Sequence, residues 1–424
     1  MESGDGGVVS DESASNVDKD DGGHIDTLCM ACDSSACNFS AVNLKRRPMG
    51  DRDVVMNVIY CGVCHSDIHF SAGHLSFGGL EYPCVPGHEI AGIVKAVGSN
   101  VTKFQPGDHI GVGFFVDSCL KCKQCRNDQE QMCMKQVPTF MGKDKGSGRA
   151  ETFPPGKMTL GGFTRKFVVD ERFAVKIRKD YPLEFAGPVM CAGITCFTPL
   201  KKWASKGAST VGVVGLGGVG VMGVKIAAAL GLEVTVLSRT PGKQEFAKRI
   251  GAKRFILSTD EESMAKGKKS LDLILNTVPC MHPYHVYKSL LKKNGKQVML
   301  GVHPGFATGF IADAVLCGNS SLVSSSTGGI AALQELIDLC AEKNIRSEIE
   351  VRPVSDLNEI FHRLDTNNDD GLRYVLDIEK TLTPEMVRVE QGRKHADLKP
   401  PTSKMTVCSV LKNCCGFFCL CRCF

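Results

Sequence analysis

A glycine-rich segment in the middle of the chain constrains the fold more than any other feature of the sequence. Residues Gly215–Gly220 match the pattern G-x-G-x-x-G. The β-branched run Val211–Val214 precedes them, the helical segment Val221–Leu230 follows, and a second β-branched run, Val234–Leu237, comes next. This order predicts a βαβ unit with a glycine turn between its first strand and its helix. The sequence therefore predicts an α/β fold with a parallel sheet and a dinucleotide site.

Each glycine of this motif has its own physical role in the predicted site. Gly215 allows a tight turn, Gly217 lets the backbone approach a pyrophosphate, and Gly220 lets the helix pack against the strand. The helix N-terminus, with Gly218 and Val219, presents unpaired N–H groups and a positive dipole end to the phosphates. The alternative is a glycine-rich turn without a ligand, which the strand–turn–helix context disfavours.

The residues that follow the second β-branched run bear on the choice of nucleotide. NAD-binding sites place an Asp or Glu there to bind the ribose 2′-OH. This chain instead has Ser238, Arg239 and Thr240, with Lys243 close behind. Arg and Lys attract a 2′-phosphate, and Ser and Thr can donate hydrogen bonds to it. The sequence predicts NADP(H), with solvated surface charges as the alternative; Thr240 before Pro241 also fits a helix N-cap.

Four cysteines lie close together in a loop segment with the spacing C-x2-C-x2-C-x7-C. They are Cys119, Cys122, Cys125 and Cys133. Four thiolates complete a tetrahedral shell with no open position, so a zinc ion held there would stabilise the loop and would not react. Ligation would also protect these thiols from oxidation, whereas four free thiols are the alternative.

A second group of candidate ligands is dispersed along the chain. Cys64 follows the apolar strand segment Val54–Ile59, His88 lies at the beginning of the next strand, and Cys191 precedes the nucleotide-binding segment. Two thiolates and one imidazole form the shell of a catalytic zinc that keeps a fourth position for water or a substrate oxygen. Spacing alone does not show that the three residues converge, and a buried Cys or a packed His is the ordinary alternative for each.

Size, charge and cysteine content restrict the class of protein. The 424 residues, 43% hydrophobic and 23% charged, suffice for two globular domains. The small net charge of +5 argues against nucleic acid as a partner. The first residues lack the pattern of a secretory signal, so a reducing, cytoplasmic compartment is expected. There, the 21 cysteines would be metal ligands or free thiols.

The two ends of the chain differ in composition from the rest. Residues 1–27 are rich in acidic residues, Gly and Ser, and are expected to form a disordered acidic arm. The last segment, Cys408–Phe424, holds six cysteines among Phe and Leu. This composition suits S-palmitoylation and membrane association, with a loose tail or oxidisable thiols as the alternative. Cys421 stands fourth from the end, as in a prenylation motif, but Arg422 and Cys423 fit that motif poorly.

Together these motifs resemble one enzyme family. From about Cys32 to Glu379 the chain resembles plant and microbial cinnamyl alcohol dehydrogenases, a branch of the zinc-containing medium-chain dehydrogenases. The segments that carry the resemblance are Gly62–Asp67 with His69, Gly87–Glu89, Gly107-Asp108, the four-cysteine loop, Met190–Gly193, Gly215–Gly220 and Leu300–Val302.

The resemblance implies a fold of two domains. A GroES-like β-barrel catalytic domain would be built from both ends of the chain, with a Rossmann domain, a doubly wound parallel sheet, inserted. The expected boundaries are 28–185 for the catalytic domain with its zinc lobe, 186–340 for the NADP-binding domain and 341–380 for the return segment. A tail would occupy 381–424, and the nucleotide domains would form a homodimer.

The resemblance also implies roles for individual residues. Zinc would be held by Cys64, His88 and Cys191, with Glu89 as an alternating fourth ligand. Asp67 would orient His88, which physical reasoning also favours. Ser66 would pass the proton of the substrate hydroxyl through the nicotinamide ribose to His69. The cofactor would contact Val302 and, through its 2′-phosphate, Ser238, Arg239 and Lys243. In the alternative interpretation, Glu89 and Asp67 are ordinary strand-end carboxylates.

The implied activity is that of an NADP(H)-dependent zinc alcohol dehydrogenase or aldehyde reductase with two zinc ions per chain. It would transfer a hydride between NADPH and an aromatic or aliphatic aldehyde. Two features depart from the family: Ser66 stands where Thr is frequent, and the pocket stretch Gly113–Val116 is unusually aromatic. A polyol-type zinc dehydrogenase, a zinc-free quinone reductase and a catalytically idle NADP-binding or scaffold protein are the alternatives; the presence of all the expected ligands argues against the last two.

Overall fold

The structure is a computed structural model that describes residues 23–75, 80–143, 158–280, 282–301, 322–366 and 371–387. Val302, the Cys-rich tail and the first 22 residues of the predicted acidic arm lie outside the described residues. The first strand begins at Ile25, so the end of the segment 1–27 does not fit the prediction of a disordered arm. The physical reason is that the side chain of Ile25 is fully buried.

The regular elements are as follows. The strands are β1 (Ile25–Cys32), β2 (Phe39–Arg46), β3 (Asp53–Val63), β4 (Glu89–Val97), β5 (His109–Val112), β6 (Phe115–Asp117), β7 (Val137–Pro138), β8 (Lys166–Asp170), β9 (Val175–Ile177), β10 (Thr210–Val214), β11 (Glu233–Ser238), β12 (Arg254–Leu257), β13 (Leu271–Asn276), β14 (Leu291–Met299), β15 (Leu322–Ser324), β16 (Ile349–Pro353) and β17 (Arg373–Asp377). The α-helices are α1 (His65–Ser71), α2 (Lys123–Arg126), α3 (Ala186–Pro188), α4 (Ile194–Ala204), α5 (Gly218–Ala229), α6 (Gln244–Arg249), α7 (Glu261–Lys266), α8 (Ile330–Glu342), α9 (Leu357–Thr366) and α10 (Ile378–Thr381). A π-helical turn spans Val189–Gly193, and 3-10 turns span Glu130–Met132, Glu171–Phe173, Leu183–Phe185, Pro241–Lys243, Tyr284–Leu290 and Val354–Asp356.

The predicted parallel sheet is present. It has six strands in the order β12-β11-β10-β13-β14-β15, and each neighbouring pair is parallel. Val211 and Val213 of the central strand are fully buried, as expected for a strand covered on both faces. The strand order reverses beside β10, so the carboxyl ends of β10 and β13 diverge at the point where such sheets bind ligands.

A second sheet combines strands from both ends of the chain. Its order is β16-β17-β3-β4-β5-β9, and β8 pairs with β3 outside this path. Strand β17 pairs antiparallel with β3, so that Leu376 lies opposite Cys61. The C-terminal segment therefore returns to the N-terminal sheet, as the predicted organisation requires. This pairing places the end of β3, which leads into Cys64, beside the start of β17.

The helix after the glycine motif begins earlier than predicted. Helix α5 starts at Gly218, inside the motif, because Gly217 adopts the extended N-cap conformation.

In the described part of the chain, one helical run, Leu183–Ala204, is long and apolar enough to cross a membrane by length and composition. Within the fold, 72% of its apolar window is buried, which is the property of a core helix.

Candidate active site

The site begins at the junction of β3 and α1, where Cys64 occupies the N-cap of the helix. The Asp67 carboxylate, in the first helical turn, accepts a hydrogen bond from the Cys64 backbone N–H at 2.8 Å. It also accepts from the Gly87 backbone N–H at 3.0 Å and contacts Nδ1 of His88 at 2.9 Å. One buried carboxylate thus holds the Cys64 segment and the His88 segment in a fixed relation.

The contact with Asp67 determines which ring nitrogen of His88 faces the other candidate ligands. Because Nδ1 faces Asp67, Nε2 points toward Cys191, whose Sγ lies 3.2 Å away. Burial opposes protonation of His88, but the charge of Asp67 and its hydrogen bond outweigh burial and raise the pKa of the imidazole. A bound metal ion would displace this proton, since a ligating histidine is neutral at the coordinating nitrogen.

Cys191 is supplied by the π-helical turn Val189–Gly193. A π turn re-aims side chains inside a helical run, and such turns are common at functional sites. The Sγ atoms of Cys64 and Cys191 are 3.9 Å apart. A tetrahedral zinc with bonds of about 2.3 Å places two sulfurs about 3.8 Å apart, so this spacing fits one ion. The hydrogen bond between the two sulfurs lowers the pKa of Cys64, which favours the thiolate that a metal needs.

Glu89 completes the cluster from the first position of β4. The ligand atoms of Cys64, His88, Glu89 and Cys191 all lie within 4.8 Å of one another. One carboxylate oxygen, Oε1, accepts a hydrogen bond from Arg373, while the buried Oε2 has no hydrogen-bond partner in the described part of the chain. Burial raises the pKa of Glu89 to about 8 although Arg373 opposes the shift. A buried oxygen without a partner suits a ligand position for a cation.

Arg373 is a functional candidate that sequence reasoning missed. It begins β17, its side chain is almost fully buried, and it pairs with Glu89. Its Cδ lies 2.3 Å from the position that a Cβ on Gly218 would occupy, so the guanidinium links the metal cluster to the glycine turn. In the sequence, Arg373 is recognisable only as a charged residue that precedes the apolar run Tyr374–Leu376. This pattern does not predict which residues Arg373 contacts.

The glycine turn has the conformation that its sequence predicts. Gly215 adopts a φ of +89°, which L side chains rarely adopt. A Cβ on Gly220 would lie 2.1 Å from the carbonyl oxygen of Gly215, so the helix packs on the turn only without a side chain. A Cβ on Gly217 would meet nothing within 4 Å, which leaves the backbone open on the side where a phosphate would approach. Val219 lies in the first turn of α5 and is half-buried.

The predicted 2′-phosphate residues lie beside this turn. The Gly215 backbone N–H donates to the carbonyl of Leu237 at 3.0 Å, so the end of β11 adjoins the turn. Ser238 is buried and its Oγ accepts from the Thr240 backbone N–H at 3.1 Å, whereas Arg239 is exposed and Lys243 is half-buried. Thr240 occupies the N-cap of a 3-10 turn, but its side chain makes no capping hydrogen bond. Its exposed hydroxyl is therefore not committed to the capping role that the sequence suggested.

The two residues of the predicted proton relay lie on α1. Ser66 and His69 are three residues apart and hence on one face of the helix. Nδ1 of His69 is 3.4 Å from Nδ1 of the exposed His74. Burial and, less strongly, the neighbouring His65 and His74 lower the pKa of His69 to about 4. The imidazole is therefore neutral near pH 7 and able to accept a proton.

The four-cysteine loop brings its sulfurs together. The Cys125 sulfur is 3.9 Å from that of Cys119 and 3.5 Å from that of Cys122, and all four sulfurs, with Cys133, lie within 4.8 Å of one another. The backbone N–H of Cys122 donates to the sulfur of Cys119 at 3.3 Å. Backbone donors from Lys121 and Cys122 lower the pKa of Cys119 to about 6. The geometry and the amide donors both suit a tetrathiolate metal site.

The four-cysteine loop also contacts the helix that follows the parallel sheet. Glu130 is buried, and its Oε2 accepts a hydrogen bond at 3.3 Å from the backbone N–H of Ile330, the first residue of α8. No side chain caps α8 from its own N-cap residue, Gly329, so the loop supplies this acceptor. Disorder of the loop would therefore also remove this hydrogen-bond acceptor from the N-terminus of α8.

Comparisons with known proteins agree with this geometry. Residues 50–179 match the family described as Alcohol dehydrogenase GroES-like domain, and residues 218–342 match the family described as Zinc-binding dehydrogenase. The chain is 41% identical over 350 residues to a probable cinnamyl alcohol dehydrogenase of Pinus taeda, covering 82% of this chain and 94% of that protein. It is also 41% identical over 354 residues to a probable mannitol dehydrogenase of Fragaria ananassa, covering 83% of this chain and 95% of that protein.

Solved structures lead to the same family. A cinnamyl alcohol dehydrogenase from Sorghum bicolor matches with a TM-score of 0.74 at 35% identity, covering 84% of this chain and 98% of that one. A cinnamyl alcohol dehydrogenase from Helicobacter pylori, solved in complex with NADP(H), matches with a TM-score of 0.74 at 36% identity, covering 84% and 99%. The predicted pair of a GroES-like domain and a Rossmann-like parallel sheet is confirmed, and the chain belongs to the zinc-binding alcohol dehydrogenase family.

Proposed function

We propose that this chain is an NADP(H)-dependent aldehyde reductase that acts on aromatic or aliphatic aldehydes. The observation that supports it most strongly is the cluster of Cys64, His88, Glu89 and Cys191, whose ligand atoms lie within 4.8 Å of one another. Arg373 joins this cluster to the glycine turn, so the metal ligands and the dinucleotide motif belong to one cleft. The Helicobacter pylori relative, whose structure contains NADP(H), supports the choice of nucleotide.

Zinc fits the residues of both groups in the described part of the chain. Cys64, His88 and Cys191 would hold the catalytic ion with Glu89 as an alternating fourth ligand, and the four-cysteine loop would hold a structural ion. When bound, the catalytic zinc supplies Lewis-acid polarisation of a carbonyl oxygen, and the nicotinamide supplies the hydride. The shared carboxylate of Asp67 keeps Nε2 of His88 facing the cleft, which pre-orients the ligand.

The other side chains of the cleft have distinct tasks in this proposal. Arg373 compensates the charge of Glu89 and, beside Gly218, offers a cation to the cofactor pyrophosphate. Its Nε has no hydrogen-bond partner in the described chain, which leaves it available for a phosphate oxygen. Ser66 would exchange a proton with the substrate oxygen, and His69, on the same face of α1, would exchange that proton with Ser66 in turn. Val302 is assigned to the cofactor by the family resemblance alone.

Aromatic rings around His88 favour an apolar, planar substrate. Phe140 stacks beside the imidazole at a centroid distance of 5.9 Å, and Phe114 meets it edge-on at 5.5 Å. Phe70 contacts both phenylalanines, each at 5.9 Å. Phe140 and Phe70 are buried, whereas Phe114 is partly exposed. These rings can make favourable aromatic contacts with an aromatic aldehyde, whereas they offer no hydrogen bonds to the hydroxyl groups of a polyol.

A polyol dehydrogenase is the second candidate, because two probable mannitol dehydrogenases are as similar to this chain as several of the cinnamyl alcohol dehydrogenases. The test is oxidation of NADPH or NADH by purified protein with aromatic aldehydes, aliphatic aldehydes and mannose as alternative substrates. We expect the highest kcat/KM with NADPH and an aromatic aldehyde. Turnover confined to the sugar, or no turnover in zinc-replete protein, would reject the proposal.

Replacement of Arg239 by Asp is expected to reverse the cofactor preference. The change removes a guanidinium and places a carboxylate where a 2′-phosphate would lie, so kcat/KM for NADPH should fall about 100-fold while that for NADH changes little. The measurement is steady-state kinetics with both cofactors. Arg249→Asp, the same charge change at an exposed position of α6, is the matched control and should retain the preference. Equal losses in the two variants would mean that Arg239 is only a surface charge.

Replacement of His69 by Asn is expected to lower kcat about 100-fold, because positioned proton transfer contributes at least that much. The Kd of NADPH should change little, since the side chain lies on α1 and not at the glycine turn. The low pKa of His69, about 4, keeps it neutral as the pH falls from 7 toward 5, so this residue should not cause an acid loss of activity there. His362→Asn, at an exposed position of α9, is the control. Wild-type kcat in His69→Asn would remove this residue from the relay.

Three further proposals rest on sequence and family. The catalytic domain is proposed to run from the start of β1 at Ile25 to residue 185, with 186–340 as the nucleotide domain and 341–380 as the return segment. The nucleotide domains are proposed to form a homodimer in the cytoplasm. The segment Cys408–Phe424, with six cysteines, is proposed to be S-acylated and to bring the enzyme to membranes. Acyl-exchange labelling in cells should detect thioesters that disappear when these six cysteines are replaced by Ser. Unchanged labelling in that variant would reject acylation of the tail.

A further inference from the structure

Three cysteines form a cluster that neither candidate zinc site uses. Cys32 ends β1, Cys37 lies in the turn between β1 and β2, and Cys84 lies in the segment that leads to His88. Cys32 and Cys84 exchange two backbone hydrogen bonds, of 3.0 and 2.8 Å. Opposed residues of this kind have Cα atoms about 5.5 Å apart, which is within the range that a disulfide spans.

Cys32 lies between the other two thiols. Its thiol donates a hydrogen bond to the carbonyl oxygen of Cys84 at 3.7 Å, and the Cys37 thiol donates to that of Ser35 at 3.6 Å. The thiols of Cys37 and Cys84 both interact with that of Cys32 and raise its pKa. Within the described ranges, only the catalytic group and the four-cysteine loop bring three or more ligand atoms within 4.8 Å of one another. A row of thiols suits thiol–disulfide chemistry, whereas a metal ion would need all three sulfurs around one point.

We propose that Cys32, Cys37 and Cys84 form an oxidation-sensitive site in which a hydroperoxide converts the Cys32 thiol into a disulfide. Cys37 is the entry point, because it is 8% exposed and its neighbours Ser35, Ala36 and Asn38 are exposed. Cys32 and Cys84 are 0% and 4% exposed, so they are reached through Cys37.

Exposure and pKa together assign the roles of the first two cysteines. Cys37 is the more exposed thiol, and its interaction with Cys32 lowers its pKa, whereas the interactions with Cys37 and Cys84 raise the pKa of Cys32. The thiolate is the form that attacks a peroxide, so Cys37 is the nucleophile and Cys32 is the thiol that resolves its product.

The reaction is a two-electron oxidation that balances with hydrogen peroxide. The Cys37 thiolate attacks one peroxide oxygen, the O–O bond breaks, and the products are a sulfenic acid and hydroxide, which takes a proton to become water. Cys32 then attacks the sulfenic sulfur, and a second water leaves as the Cys32–Cys37 disulfide forms. Attack of the Cys84 thiolate on the Cys32 sulfur moves the bond to Cys32–Cys84 and releases Cys37 as a thiolate, a good leaving group because of its lowered pKa.

The position of the cluster couples it to the active-site scaffold. The Sγ of Cys84 is 3.9 Å from the Oγ of Ser71, the last residue of α1. The hydroxyl of Tyr82 donates to the carbonyl oxygen of Ser71 at 2.7 Å. A bond between Cys32 and Cys84 would therefore tie the β1 edge to the segment between α1 and His88.

The test is a disulfide map of the full-length, zinc-loaded protein. The protein is treated with equimolar hydrogen peroxide, free thiols are alkylated, and the chain is cleaved on the N-terminal side of Asp. Cleavage at Asp26, Asp33, Asp53 and Asp67 places Cys32, Cys37 and Cys84 on three separate peptides, and Cys84 is also separated from Cys64. We expect the peptide with Cys32 to become cross-linked to that with Cys37 or Cys84, reversibly with dithiothreitol and without release of zinc.

Cys32 shares its peptide with Cys29, so the two are compared as variants. Both residues lie on β1 and are fully buried, but the thiol of Cys29 contacts the Thr164 hydroxyl at 3.2 Å. Cys29→Ser should keep the cross-link, and Cys32→Ser should lose it. The proposal is overturned if Cys32 of the wild type stays free for alkylation at a peroxide dose that oxidises other cysteines, or if the cross-link is lost in Cys29→Ser and kept in Cys32→Ser.

Discussion

Replacement of Cys64 by Ala is expected to abolish turnover while the protein still folds and binds NADPH. The Cys64 sulfur is 3.9 Å from that of Cys191, and its loss removes one corner of the catalytic metal shell. Lewis-acid polarisation is worth several kcal/mol of transition-state stabilisation, so kcat/KM for an aldehyde should fall about 1000-fold or more. Zinc content should drop from two ions to one per chain. The Kd of NADPH should stay within about threefold of the wild-type value, since the glycine turn follows β10 of the other sheet.

The matched control for this variant is Cys61→Ala. Cys61 lies on β3, three residues before Cys64, and is also buried, but its thiol contacts only the Gly62 carbonyl among the hydrogen bonds of the described chain. It should retain both zinc ions and most of the activity. If Cys64→Ala turned over aldehyde at the wild-type rate, the assignment of the catalytic metal to this cluster would be wrong.

Replacement of Cys125 by Ser is expected to give the largest loss of stability. Its sulfur contacts those of Cys119 and Cys122 at 3.9 and 3.5 Å, so the variant leaves the four-cysteine loop without a complete shell. Structural zinc contributes on the order of 10 kcal/mol to the folding of small domains, and losing part of this should lower Tm by about 10 °C or more. Because Glu130 of the loop accepts a hydrogen bond from Ile330, α8 should also lose protection in hydrogen exchange.

Cys340→Ala provides the control for the second variant. Cys340 is a fully buried thiol on α8, outside both groups of candidate ligands. It should keep two zinc ions per chain and lose only the stability of a small cavity, about 1 kcal/mol. An unchanged Tm and zinc content in Cys125→Ser would mean that the loop holds no structural metal.

The features that sequence predicts well are those whose partners are local. The glycine turn was predictable because the need for glycine at positions 215, 217 and 220 arises within one strand–turn–helix unit. The close approach of Cys119 and Cys133 was predictable for the same reason, since the ligand spacing itself limits how far apart the sulfurs can lie.

The features that sequence does not predict depend on the tertiary fold. Arg373 reaches Glu89 only because β17 pairs with β3, and the local sequence does not indicate that pairing. The approach of Cys191 to Cys64 was expected from the family resemblance and not from spacing, because it depends on a π-helical turn, which has no sequence signature. Thr240 was predicted both as a helix cap and as a cofactor contact, and the structure gives its side chain no capping bond. Local propensity could not separate those two roles.

The central claim is that two thiolates and an imidazole from three distant segments hold one reactive metal ion. The most direct measurement is the zinc content of purified wild-type protein during stepwise chelation, with NADPH-dependent aldehyde reduction assayed on each sample. We expect two zinc ions per chain at the start and loss of turnover in proportion to the loss of the ion at Cys64, His88 and Cys191. A single zinc ion per fully active chain, or full turnover after both ions are removed, would contradict this claim.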